Sequence, residues 1–119
     1  MIRAACHCGA VRIELARKPR TLTACNCSIC RRYGTLWVYY QRNDVRIRSG
    51  RGSTSAYAWG DRSIRFVRCR RCGCIMHWEP VRKAAARRIG VNARNLEPAV
   101  LSGIRVRRLD GAGSWKYLD

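Results

Sequence analysis

The placement of eight cysteines constrains this chain more than any other feature of its sequence. Seven fall in three tight clusters: Cys6-His7-Cys8-Gly9, Cys25-Asn26-Cys27-Ser28-Ile29-Cys30 and Cys69-Arg70-Arg71-Cys72-Gly73, with Cys74 directly after the last. In an extended strand, residues i and i+2 project to one side, so both thiols of a C-x-C can reach a single ion. A C-x-x-C folds into a knuckle, and the Gly that follows it accepts the positive φ such a turn needs. A C-x-C combined with a C-x-x-C from far along the chain supplies four sulfurs, the donor set of a closed structural zinc site. Cys6, Cys8, Cys69 and Cys72 meet that description. A metal there would clamp the N-terminal part of the chain to its middle. The alternatives for these four are reduced core cysteines or disulfides.

The middle cluster is different. Cys25, Cys27 and Cys30 offer three thiolates within six residues and no evident fourth ligand. Three protein ligands with an open position is how catalytic zinc is held. An open position admits water, or an incoming thiol that the metal helps to deprotonate. A fourth ligand from Cys74 or a histidine would close it and make this a second structural site. His7, between Cys6 and Cys8, should face away from their metal. His77 lies in a strand-like run, Ile75 to Glu79, and reads as a packed or surface imidazole. Cys74 reads most simply as a small buried apolar residue. The expectation is two Zn²⁺ per chain, one held by four cysteines and one by three.

A chain of 119 residues is expected to form one domain, 1–119, with a modest core that benefits from such staples. Its hydrophobic content of 47% excludes a disordered polycation. The longest apolar run, Leu36 to Tyr40, is far too short to cross a bilayer, and Met1 to Ala5 has no apolar signal-like region. No membrane partner and a cytoplasmic location are therefore expected, where cysteines serve as metal ligands more often than as disulfides. Period-two alternation recurs at Ala10–Leu15, Asp44–Arg48, Ser63–Arg68 and Gly103–Arg108, and Thr35–Tyr40 is β-branched and aromatic. Helical patterns are confined to Val81–Arg88 and to a single turn opening at Pro98. The fold class is mainly β.

The 25 Lys+Arg stand against 7 Asp+Glu, a formal charge of +18. All but Lys18, Lys83 and Lys116 are Arg. Such a surface favours nucleic acid or anionic small molecules as partners. However, Arg46 with Arg48, and Arg105 with Arg107, have the i, i+2 spacing of any solvated strand face. No run reaches five like charges, and no RNP, KH or helix-turn-helix motif is present. A non-catalytic, zinc-stapled basic module that binds nucleic acid is the alternative to an enzyme.

The order and spacing of Cys6-His7-Cys8-Gly9-Ala10-Val11, Cys25 to Arg32 and Phe66 to Gly73 resemble the glutathione-dependent formaldehyde-activating enzyme (GFA) family, which includes the centromere protein V branch. Val91 to Leu96, Leu109-Asp110-Gly111 and Ser114-Trp115 are similar to it as well. The resemblance implies a β-tent of small antiparallel sheets stapled by zinc. It also implies a structural zinc on Cys6, Cys8, Cys69 and Cys72, and a catalytic zinc on Cys25, Cys27 and Cys30. The implied activity is that of a carbon–sulfur lyase (S-hydroxymethylglutathione synthase-like), acting on glutathione and formaldehyde. The sequence leaves open the substrate-binding residues, the oligomeric state and the role of Cys74.

Overall fold

The computed structural model describes residues 1–82 and 87–119. Among them β1 (Ile2–Ala5), β2 (Val11–Leu15) and β5 (Val45–Ser49) form a small antiparallel sheet in the order β1-β2-β5. A larger sheet contains β3 (Thr21–Cys25), β4 (Trp37–Gln41), β6 (Thr54–Tyr57), β7 (Ile64–Cys69), β8 (Ile75–Pro80), β9 (Arg88–Asn92) and β10 (Arg105–Leu109). Its order is β10-β3-β4-β9-β8-β7-β6. Two short helices, α1 (Ser28–Tyr33) and α2 (Pro98–Leu101), complete the described elements, with 3-10 turns at Arg42–Asp44 and Ala93–Asn95. The mainly β architecture expected from the alternating runs is present. Those runs become β2, β5, β7 and β10, the aromatic run becomes β4, and Pro98 opens α2. Half of the helix expected over Val81–Arg88, residues 83–86, lies outside the described residues, and Arg88 opens β9.

Alternation explains the small sheet. Val11, Ile13 and Leu15 are buried while Arg12 is exposed, and Ile13 and Leu15 face Ile47 and Val45 across the β2–β5 pair. The arginines on its outer face behave as a solvated strand face, with Arg48 bonded to Glu14. Central strand β9 shows no such alternation, because residues Ile89 to Asn92 are all buried. Gly90 is required there: a Cβ would stand 2.0 Å from Nε1 of Trp78, whose indole lies across the strand.

The main core lies on one face of the larger sheet. Leu22, Val38, Tyr40, Ile89 and Val91 meet Val11, Ile13, Leu15 and Val45 of the smaller one. Each fully buried aliphatic side chain contributes about 1.5 to 3 kcal/mol. Alternation along β4 sends Trp37 and Tyr39 to the opposite face. There Trp37 joins Cys27, Cys30 and Phe66 beneath α1, and Tyr33 meets the Phe66 ring edge-on at 5.6 Å. One pairing is parallel: β10 runs beside β3 from Arg105↔Thr21 to Leu109↔Cys25. The C-terminal residues are thereby delivered to the middle cysteine cluster.

Candidate functional site

Cys6 and Cys8 occupy the β1–β2 turn, Cys69 ends β7, and Cys72 lies in the β7–β8 turn. The expectation that Cys6 and Cys8 lie on an extended strand does not hold. Gly9 N–H donates to Cys6 O at 3.1 Å and Gly9 has φ +81°, while Gly73 N–H donates to Cys69 O at 2.9 Å with the same φ. The reason is distance. A strand would hold the two thiols roughly 6.6 Å apart, whereas zinc–sulfur bonds of about 2.3 Å in a tetrahedron need sulfurs about 3.8 Å apart. The turn brings Cys6 Sγ and Cys8 Sγ to 3.7 Å, and Cys8 Sγ to 3.7 Å from Cys69 Sγ. All four sulfurs lie within 4.8 Å of one another, and none is in a disulfide. Val11 N–H donates to Cys6 Sγ at 3.3 Å and Cys72 N–H to Cys69 Sγ at 3.5 Å. Backbone N–H groups of Cys74 and Cys8 draw the Cys72 thiol down to about 5. This donor set could hold a metal ion, and His7 stands exposed beside it.

The second group is built on the β3–α1 junction. Cys25 ends β3, Cys27 is the N-cap of α1, and Cys30 lies in its first turn. Cys27 N–H donates to Cys25 Sγ at 3.5 Å and Cys30 N–H to Cys27 Sγ at 3.4 Å. Trp37 Nε1–H donates to Cys30 Sγ at 3.3 Å. Helix α1 escapes a sequence reading because its cap is a thiol rather than the usual hydroxyl, carboxylate or amide. The three sulfurs lie within 4.8 Å of one another, and among the described residues no further Cys, His, Asp or Glu joins them. Burial pushes the Cys30 and Cys25 thiols up. Burial also acts against Cys27, but the Cys30 N–H and the two neighbouring thiols outweigh it and bring that thiol down. One thiol drawn down beside two pushed up is a cluster whose ionised form a cation would favour.

Two residues that could have closed this site are engaged elsewhere. Cys74 is half-buried rather than buried, and packs beside Cys72 and against the main core, apart from the three-cysteine group. His77 is 2% exposed and its Nε2–H donates to Glu79 Oε1 at 2.6 Å, while Arg65 Nη2 holds Oε2 at 2.6 Å.

The wall of the site is formed by Asn26 and by Asp110, Gly111, Ser114 and Trp115, residues that carry a family resemblance in the sequence but no expected role. Asn26, the central residue of the C-x-C, donates from Nδ2 to Asp110 Oδ1 at 3.0 Å and accepts Ala112 N–H at 2.9 Å. Asp110 Oδ2 accepts the N–H and Oγ–H of Ser114, both at 3.0 Å. Ser114 first, and then Asn26, hold that carboxyl below its usual range. The loop so fixed presses buried Gly111 onto Cys25, where a Cβ would stand 2.4 Å from Sγ. Trp115, with φ +59° and 68% exposed, hangs beside Gly111 at the rim. A bulky residue in that backbone region is uncommon and marks a segment fixed by its surroundings. A crevice of about 1000 Å³ beside Arg3, Arg12, Arg94 and Cys74 is also lined by Cys6 and contains none of the three cysteines.

A family model described as glutathione-dependent formaldehyde-activating enzyme matches residues 1–102. A crystal structure of a Rhodobacter sphaeroides protein is 31% identical, with the match covering 88% of this chain and 99% of the other at a TM-score of 0.71.

Proposed function

The chain belongs to the glutathione-dependent formaldehyde-activating enzyme family, and on that footing we propose that it acts as a carbon–sulfur lyase. It would add a thiol such as glutathione reversibly to formaldehyde at a zinc held by Cys25, Cys27 and Cys30. A second zinc, on Cys6, Cys8, Cys69 and Cys72, would be structural. The observation that carries the reading is the three-sulfur group with no fourth side-chain ligand among the described residues.

A zinc ion held by Cys25, Cys27 and Cys30 would supply Lewis acidity that favours the thiolate form of an incoming thiol at neutral pH. The protein's own groups prepare that chemistry. The N–H donors of Trp37, Cys30 and Cys27 aim at the three sulfurs and offset their negative charge. The aromatic packing of Trp37, Phe66 and Tyr33 excludes water from the inner side. The Asn26–Asp110 pair holds the C-terminal loop against Cys25. In the addition the thiol gives up its proton, the sulfur lone pair forms the C–S bond, and the carbonyl π pair moves to oxygen, which takes up a proton. The basic surface, +18 overall, accelerates capture of an anionic thiol.

Exchange NMR on zinc-loaded protein with formaldehyde and glutathione tests this. Formation of the S-hydroxymethyl adduct should run faster than in buffer, and Cys27→Ser should return it to the uncatalysed rate. A parent protein that adds nothing to the uncatalysed rate would contradict the proposal.

A further inference from the structure

Strands β3 and β4 touch at a single register position, Thr23↔Trp37, and then diverge. The divergence leaves a cleft of about 410 Å³ lined by Thr21 and Thr23 of β3, and Thr23 is two residues from Cys25. Its floor carries hydroxyl groups: Thr23 Oγ1 and Tyr117 Oη lie 2.8 Å apart, and Tyr39 lines the same space. Its mouth carries cations. Lys18 and Arg20 are exposed there, and neither makes an ion pair among the described residues. Arg107 faces Thr23 across the β10–β3 pair and lies 3.7 Å over the Tyr117 ring. Its Nε is buried with no hydrogen-bond partner among the described residues.

We propose that this cleft is the docking subsite for the carboxylate end of the thiol substrate, a short anionic peptide thiol whose sulfur reaches Cys25, Cys27 and Cys30. The assignment rests on the carbon–sulfur lyase reading, which puts the substrate's sulfur at that group. The geometry fits. Thr23 and Cys25 share one face of β3, two residues or roughly 6.6 Å apart. A peptide thiol with its carboxylate one residue beyond the sulfur-bearing one spans a similar length, at about 3.5 Å per extended residue plus the side chain. The chemistry fits as well. Hydroxyl donors backed by guanidinium and ammonium groups recognise carboxylates through charge-assisted hydrogen bonds. The larger crevice beside Arg3, Arg12 and Arg94 also holds Glu14, paired with Arg48, and Glu97, so part of its positive charge is already matched by carboxylates.

The test uses S-methylglutathione, which keeps both carboxylates but has no thiol to react, and its diethyl ester, which lacks the carboxylate charges and keeps the ammonium. Titrated into zinc-loaded protein and followed by amide shifts, S-methylglutathione should perturb Thr21 to Cys25 and Tyr39. It should bind about tenfold tighter than the ester, and Lys18→Ala/Arg20→Ala should remove most of that preference. Tyr117→Phe should weaken S-methylglutathione several-fold without moving the ester. Preference unchanged in the double variant, no binding by the parent, or shifts gathered beside Arg3, Arg12 and Arg94 would each overturn the assignment. Failure of glutathione and formaldehyde to turn over would count against the lyase reaction instead, because S-methylglutathione binding is read without turnover.

Discussion

Gly111 lies against Cys25 so closely that a Cβ on it would stand 2.4 Å from the cysteine's sulfur and 3.2 Å from the Cβ of Cys27. Only glycine lets the C-terminal loop close on the three-cysteine group. Gly111→Ala must push the loop or the sulfur aside, and should weaken metal binding there roughly 10- to 100-fold while sparing the four-cysteine group. Competition with a chromophoric chelator measures both sites. Two zinc ions retained with parental affinity would show that the loop gives way freely.

Trp37 Nε1–H donates to Cys30 Sγ at 3.3 Å inside the aromatic cluster. Trp37→Phe removes that donor and leaves a small void. It should cost about 1 to 3 kcal/mol of stability in denaturant unfolding, and raise the pH at which the three-cysteine group loads metal.

The two cysteine groups should answer mutation differently. Cys69→Ser cuts the tie between the β1–β2 and β7–β8 turns, and should lower Tm by more than about 10 °C, as should removal of metal by a chelator. Cys27→Ser keeps a competent helix N-cap. It should hold Tm within about 5 °C while abolishing turnover. Calorimetry on the two variants separates a staple from a reaction centre.

Most of this could be read from residue order, and what was missed has physical causes. The grouping of Cys6, Cys8, Cys69 and Cys72 follows from spacing, since two knuckles bring four sulfurs together. That Cys6 and Cys8 sit on a turn was not foreseen, because i, i+2 geometry on a strand satisfies direction but not the 3.7 Å separation. Strand β9 was hidden because burial on both faces erases alternation. The Asn26–Asp110 clasp spans 84 residues, and nothing local in either segment announces such a contact. The parallel β3–β10 pair that makes it possible is equally long in range.

His77 and then Arg65 hold the Glu79 carboxyl down to about 2 against the opposing effect of its burial. Its ionised form therefore stabilises the fold fully above about pH 4.5, and that contribution fades as pH falls toward 2. With solvent screening of this partly exposed carboxyl, that contribution is on the order of 1 to 2 kcal/mol. Glu79→Gln should be less stable by that margin at pH 7 in urea unfolding, and the gap should narrow steadily below pH 4.5. A constant gap down to pH 3 would mean that packing rather than charge is at stake.

The direct test of an open three-cysteine centre is X-ray absorption at the zinc edge of protein carrying two zinc ions, before and after adding glutathione. An average of about three and a half sulfurs per zinc is expected at first, with a light atom at the Cys25, Cys27 and Cys30 site, rising to about four with the thiol. Four sulfurs per zinc from the start, or no change on adding glutathione, would contradict the open centre.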